Sequence, residues 1–484
     1  MSTLGPGAPA TLTVEPVRAE ELPARASAVR DAGGRLVSLW IEDDEPARPR
    51  LCVVLADAAS VLSFLEIALP GPSARYPSLA GIFPASARLE RSARDLCGVA
   101  AEGGDPRPWL LHPAEPYPFV TVGGEGVHEI PVGPVHAGVI ESGHFHLSVV
   151  GEQILRLEER LGYKHRGITG LVRGRDLASG APLIARLAGD TTVGYASAYA
   201  QAVETVLGFE PPPRARALRA LVLELERIAN HLGDLGALGT DAGFAFGGSQ
   251  FMILKEELLR LKRELFGRRY LFDLLPPGGV AFDLAPEGAR RLERSLEVLA
   301  RTVGELRDLY DDHAGLRDRF RGTGSLPREL ALHLGLTGLA ARASGIAQDL
   351  RAARPWGPYD ALPLETAVRH GGDVLARVEI RFAEIDTSLA LLRTLLDSLP
   401  PGPIATPLPD TPASERGIGW IEAWRGPVFV SVRIDRRGTI RHVHCHDPSW
   451  ENWPAIEYAA VGEVVADFPL INKSFNLAYS AVDL

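Results

Sequence analysis

The spacing of apolar and polar positions changes twice along the chain, and the changes divide it into three regions. From about Thr11 to Pro118 the apolar residues come in short runs, such as Leu36-Val-Ser-Leu-Trp-Ile41 and Leu51-Cys-Val-Val-Leu55, which predict strands. A helix is predicted around Ala58 to Ala68. The Gly/Pro-rich segment from Gly103-Gly-Asp-Pro-Arg-Pro-Trp109 to Pro118 reads as a linker. From about Gly133 to Pro400 the apolar positions recur at helical spacing, over Pro182–Gly208, Arg214–Gly239, Ser249–Gly267, Glu287–Asp312, Pro327–Ala352 and Leu375–Leu399. Several of these segments end at Gly or Pro, where helices stop. A Pro-rich break, Pro400 to Pro409, then precedes a hairpin, Pro427–Asp435 with Gly438–His446, a helix near Trp453–Gly462, and a tail. The fold class predicted is α+β: a small N-terminal α+β domain over residues 11–118, then a mainly helical bundle with small β hairpins over 119–484.

Composition narrows the function classes. A chain of 484 residues that is 46% apolar buries a large core. Its net charge of −10 argues against broad nucleic-acid binding. Cys52, Cys97 and Cys445 are the only cysteines and form no C-x-x-C pair, so neither a disulfide framework nor a thiolate cluster is encoded, and a reducing compartment fits. No apolar stretch approaches the roughly 20 residues of a membrane-spanning helix, so membrane association is expected through partners.

Several motifs carry a family resemblance. Tyr76-Pro-Ser and Phe83-Pro-Ala-x-x-x-Leu-Glu-Arg-x-x-x-Asp-Leu-Cys-Gly98 resemble the small accessory subunit of respiratory complex I. Gly133-Pro-Val-His136, Glu141-Ser-Gly-His144, Leu161-Gly-Tyr-Lys-His-Arg-Gly167, Ala198-Tyr-x-x-Ala-Val-Glu204 and Glu224-Leu-Glu-Arg-Ile-Ala-Asn-His-Leu232 form a second set. They resemble the quinone-proximal large subunit of complex I and the large subunit of energy-converting, membrane-bound hydrogenases. Glu422-Ala-Trp-Arg-Gly426 and Asp447-Pro-Ser-Trp-x-Asn-Trp453 resemble the formate-hydrogenlyase (hydrogenase-4) branch, in which both subunits are fused in one chain.

The resemblance also shows what has been replaced. In nickel-iron hydrogenases two Cys-x-x-Cys motifs hold the metals. The matching stretches here are Arg186-Leu-Ala-Gly-Asp-Thr-Thr-Val-Gly-Tyr195 and Asn476-Leu-Ala-Tyr-Ser-Ala481, so Ala188, Thr191, Ala478 and Ala481 stand where the cysteines belong. Such a centre needs thiolate donors, and the expectation is that this chain binds no nickel-iron centre and evolves no hydrogen. In the complex I pattern His136 matches the first quinone-side His, while Ile140 and Gly189 replace the second His and the Tyr. His144 and Tyr195 are the remaining candidate contacts for a quinone or other acceptor, which needs a few polar groups in an apolar slot.

Three charged residues are the candidate catalytic groups of an emptied cavity: Glu141, Arg186 and Arg425. Glu141 resembles a proton-relay carboxylate or caps a loop; Arg425 overhangs the metal position or pairs with Glu422 or Asp447. Asp190 and Asp373 are further cavity candidates, and His165 reads as a structural histidine. Separately, His442, His444 and His446 alternate along a strand, with neighbours roughly 6.5–7 Å apart, and two of them are candidates to share a metal ion on an exposed hairpin.

The resemblance implies a subunit of a membrane-associated complex I-like or energy-converting hydrogenase-related complex. It would take part in electron transfer and coupling through an iron-sulfur small subunit, with the cluster in that partner and antiporter-like and other membrane subunits beside it. The expected place is peripheral, on the cytoplasmic side of the cell membrane. Two alternatives are a quinone or other small-acceptor oxidoreductase site in the emptied cavity and a purely structural assembly subunit.

Overall fold

The computed structural model describes residues 13–45, 47–112, 116–137 and 140–484. Thr11, where the first predicted domain begins, and positions 113–115 of the predicted linker lie outside the described residues. The structure is α+β, as the spacing predicts.

Runs rich in Val, Leu and Ile form a four-stranded N-terminal sheet in the order Val14–Pro16, Leu62–Ala68, Arg50–Ala56, Arg35–Glu42. The first pairing is parallel and the other two are antiparallel. Leu62–Ala68 is therefore a strand where a helix is predicted. Asp57 decides this: its Oδ1 accepts from the Ala59 and Val61 amides at 2.9 and 2.8 Å, and this tight turn sends the chain back along Arg50–Ala56.

The Glu-Arg motif lies on helix Ser86–Cys97 and is a structural device. Glu90 accepts from the Leu79 amide and the Ser78 hydroxyl, both at 2.7 Å, and so ties the helix to the Tyr76-Pro-Ser turn. The predicted linker is also held down. Arg91 donates to the Arg107 and Pro108 carbonyls at 2.9 and 2.7 Å, and Asp95 accepts from the Trp109 and Leu110 amides at 2.6 and 2.9 Å.

The helical part is built on Thr192–Leu207, Pro213–Asp241, Ala245–Phe266, Pro286–Asp312 and Val374–Asp397. Proline in the first turn of Pro213–Asp241 and Pro286–Asp312 presets their entry, since its missing N–H has no helical partner there. Two predicted helices are broken. Pro182–Gly208 is interrupted by the loop 185–191, and Pro327–Ala352 becomes Arg328–Leu334, Gly338–Ala343 and Leu350–Ala353.

Helix Thr192–Leu207 packs on a three-stranded antiparallel sheet, Arg416–Glu422, Pro427–Ile434 and Ile440–His446. The approach is so close that a Cβ at Gly419 would come within 1.8 Å of the Ala198 carbonyl oxygen. A further three-stranded sheet, Val127–Val132, His144–Val150 and Gln153–Arg160, contributes Phe145, Leu147 and Val149 to a buried cluster shared with the N-terminal part.

The N-terminal and C-terminal sheets meet across a charged seam. Arg416 donates to Glu42 through both terminal nitrogens, at 2.6 and 3.0 Å, and to Glu66 at 3.2 Å. Glu42, Cys52 and Glu66 are close enough to share a cation, but Arg416 bridges both carboxylates and Arg433 brings a second positive charge to Glu42.

Candidate functional site

The loop 185–191 and the C-terminal tail come together, so the two halves of the replaced motif face one another. Ala188, Ala478 and Ala481 share one buried apolar cluster. Thr191 is buried beside it with its hydroxyl engaged: it accepts from Arg425 Nη1 and Trp424 Nε1, both at 3.0 Å, and donates to Asp190 Oδ1 at 3.1 Å.

Arg425 spans the two halves. Its Nη1 and Nη2 donate to Asp190 Oδ1 and Oδ2 at 2.9 and 2.5 Å, and its Nε donates to the Asn476 carbonyl at 2.5 Å. The guanidinium carbon lies 4.0 Å from the centre of the Trp424 ring. Burial pushes the Asp190 carboxyl up, but the Arg425 charge outweighs it and holds the pKa below the usual carboxylate range. Asn476 sits at the left-handed end of helix Phe468–Phe475, with φ of 45°. Its side-chain amide donates to Asp234 at 2.6 Å, and Asp234 accepts from Arg381 at 2.8 Å.

The other predicted site residues do not converge on Arg425. Arg186 faces outward: it pairs with Asp273 through two contacts of 2.7 Å and stacks on Phe272. Its cavity role is contradicted, because the turn at the end of helix Leu177–Ile184 points it to the surface. Glu141 is exposed, and its Oε2 accepts from the Ser480 amide at 2.9 Å, the capping geometry. Tyr195 is buried and donates to Asp447 Oδ2 at 2.7 Å, so its hydroxyl is not free for a quinone. Asp447 is accordingly the partner of Tyr195 and not of Arg425.

His144 lies in a strand with its ring near Phe119, and burial pulls its pKa down. His136 stands apart: its ring is 5.4 Å from Phe145 and 6.4 Å from Tyr479, and its buried Nε2 has no hydrogen-bond partner among the described residues. Asp373 caps helix Val374–Asp397 by accepting from the Ala376 amide at 2.8 Å, so it is not a cavity group. His165 contacts the Asp483 carbonyl at 2.6 Å, the structural role expected of it. Two cavities of about 370 and 480 Å³ have neither Glu141 nor Arg425 in their walls.

The histidine strand is buried, not exposed. His444 Nε2 is 2.7 Å from Ser38 Oγ and its ring stacks on Trp40; His446 is 3.0 Å from the same hydroxyl and 2.6 Å from Glu451. Ser38 on the N-terminal sheet holds one nitrogen of each of His444 and His446, Glu451 holds the other nitrogen of His446, and no trio of donors that includes these histidines lies within metal-sharing distance among the described residues.

Glu226 is a site residue the sequence reading passed over. It is buried and accepts from the Val193 and Gly194 amides at 2.8 and 3.2 Å, which fixes the start of helix Thr192–Leu207 beside Thr191. Burial pushes its carboxyl pKa up, and burial pulls down that of Lys262 nearby. The signal was in the Glu224-Leu-Glu226 spacing, which puts two carboxylates on different faces of one helix. Glu224 meets Arg351, Tyr359 and Ser388 on the other side.

Comparison with known proteins places this architecture. The family described as respiratory-chain NADH dehydrogenase, 49 Kd subunit, matches residues 241–419, and that of the 30 Kd subunit matches residues 16–120. Formate hydrogenlyase subunit 5 of Escherichia coli (strain K12) is 31% identical over 437 residues, which span 84% of this chain and 77% of the relative. The carbon monoxide-induced hydrogenase of Rhodospirillum rubrum is 31% identical over 358 residues, 74% of this chain and 99% of the relative. A chain of the membrane-bound sulfane sulfur reductase, an archaeal respiratory membrane complex, superposes with a TM-score of 0.70 at 27% identity, over 74% of this chain and 99% of that one. The chain therefore belongs to the family of complex I 49 Kd subunits and membrane-bound hydrogenase large subunits, joined at its N-terminal side to a complex I 30 Kd-type segment.

Proposed function

We propose that this chain is a subunit of a membrane-associated electron-transfer complex, of the kind named for its relatives, and that it works there without a nickel-iron centre. It docks an iron-sulfur small subunit whose cluster carries the electrons, and it couples that transfer to antiporter-like membrane subunits. Its attachment to the membrane is peripheral, through those partners and on the cytoplasmic side; among the described residues no helix is long and apolar enough to cross a membrane.

The observation that carries this reading is the ion pair of Arg425 with Asp190. A nickel-iron centre requires thiolates, and the four corresponding positions offer three methyl groups and one hydroxyl with its hydrogen-bonding capacity spent. The donor set does not fit the group. Instead a guanidinium ties both halves together, and it is linked through Asn476 to Asp234 and Arg381 on two long helices. Such a bridge suits a subunit that transmits position between a docked partner and the helical bundle.

A second reading has one observation in its favour. His136 Nε2, which has no hydrogen-bond partner among the described residues and lies in an aromatic setting, would serve a quinone or another small acceptor as a polar contact. Purification of the full complex from solubilised membranes tests both. The main reading expects reducible iron-sulfur clusters in the preparation and no loss of quinone or sulfur-compound reduction on His136→Ala. Loss of that activity favours the second reading, and a chain recovered alone, without clusters or membrane subunits, contradicts both and leaves a structural assembly role.

A further inference from the structure

Where the N-terminal sheet meets the helical part, the fold leaves a cavity of about 480 Å³, within the usual range for small-molecule sites at domain junctions. Its walls come from the turn Ala59–Leu62, helices Thr192–Leu207 and Pro213–Asp241, strand Arg416–Glu422 and the segment 353–357. Phe209, Trp356 and Trp420 give it flat aromatic surfaces.

Three guanidiniums line the cavity, and two are neutralised. Arg219 is held by Glu204 through contacts of 3.0 and 2.6 Å, and Arg216 by Glu210 at 3.1 Å. Arg354 is different. Its guanidinium carbon lies 5.6 Å from the centre of the Trp420 ring, and among the described residues no carboxylate offsets its burial, which alone pulls its pKa down. On the other side of the seam Arg35 approaches the same ring at 5.1 Å; burial pulls its pKa down, and the Glu451 and Glu422 charges offset part of that. A half-buried guanidinium with no carboxylate beside it among the described residues, as at Arg354, is costly unless an anion completes it.

We propose that this cavity is a binding site for a small organic anion with a flat, unsaturated body, its carboxylate paired with Arg354 and its ring plane against Trp420 and Trp356. The bidentate geometry of a guanidinium suits a carboxylate, and the aromatic walls suit a planar apolar group. Glu204 and Glu210 are paired with Arg219 and Arg216, so their charges are offset and do not repel an anion in the pocket.

Calorimetric titration of the full chain tests this with 2-naphthoate, its neutral isostere 2-naphthamide, and inorganic phosphate. The proposal expects 2-naphthoate to bind once per chain, and at least about tenfold more tightly than either control, the size of one charge-assisted contact. Arg354→Gln should weaken it by a similar factor and Arg354→Lys should restore most of the loss. Val61→Trp, at a wall position that is 54% exposed, should block binding without touching the core. Equal binding of the amide or of phosphate, indifference to both Arg354→Gln and Val61→Trp, or no binding of 2-naphthoate at all, would overturn the proposal.

Discussion

Arg425 and Asp190, separated by 235 positions in sequence, form a two-pronged ion pair across the place where hydrogenase relatives are expected to hold metal. Its worth follows from burial. The Arg425 side chain is 5% exposed, and removing one member of a buried pair strands the other charge, at a cost of about 3–5 kcal/mol. Asp190→Asn leaves the buried guanidinium without its counter-charge and should carry that cost, whereas the carboxylate stranded by Arg425→Ala keeps 41% of its side-chain surface in water, so its charge adds less to the loss. Urea unfolding of Arg425→Ala, Asp190→Asn and the double variant checks this. The expected result is a double variant less destabilised than the sum, and full additivity would contradict a bridging role.

Ser38 is the shared partner of His444 and His446 across the seam between the two sheets. Ser38→Ala would leave two buried imidazole nitrogens unpaired and should lower stability by about 1–3 kcal/mol. Because these nitrogens are engaged, zinc titration should give the same isotherm for the wild type and for His444→Ala. Stoichiometric uptake that disappears in His444→Ala would restore the metal reading.

The long helices Pro213–Asp241, Pro286–Asp312 and Val374–Asp397 were legible because apolar periodicity and end signals agree over many turns. Short apolar runs carry no such redundancy. Leu62–Ala68 fits a helix as well as a strand until the Asp57 turn and the pairing with Arg50–Ala56 are seen. Gly335, with φ of 75°, ends one helix in the stretch where spacing alone predicts continuity.

The site was legible as a frame and not as contacts. Motif alignment located Ala188, Thr191, Ala478 and Ala481 in one buried region, and Arg425 beside it. It could not show that Arg186 points outward or that Arg425 takes Asp190, since those depend on loop direction and on pairing between distant segments.

Asp483 gives a pH test of the tail. Burial first, and then the Glu141 charge, push its carboxyl from 3.8 to about 7, although the Gly162 and Lys164 amides donate to it at 2.7 and 2.8 Å. A carboxyl raised on folding contributes stability that is fully present below its unfolded pKa. That stability is lost as pH rises through the folded value, at up to about 1.4 kcal/mol per pH unit. Wild type should therefore lose stability between about pH 4 and pH 7 relative to Asp483→Asn. Denaturation midpoints across that range that run parallel in the two proteins would show that the carboxyl is not perturbed.

The central claim, that the socket is closed by an ion pair and holds no bimetallic centre, is tested most directly by infrared spectroscopy of the purified native complex, with nickel analysis of the same sample. The account predicts no carbonyl or cyanide stretching bands from iron and no stoichiometric nickel. Such bands, with one nickel per chain, would contradict it.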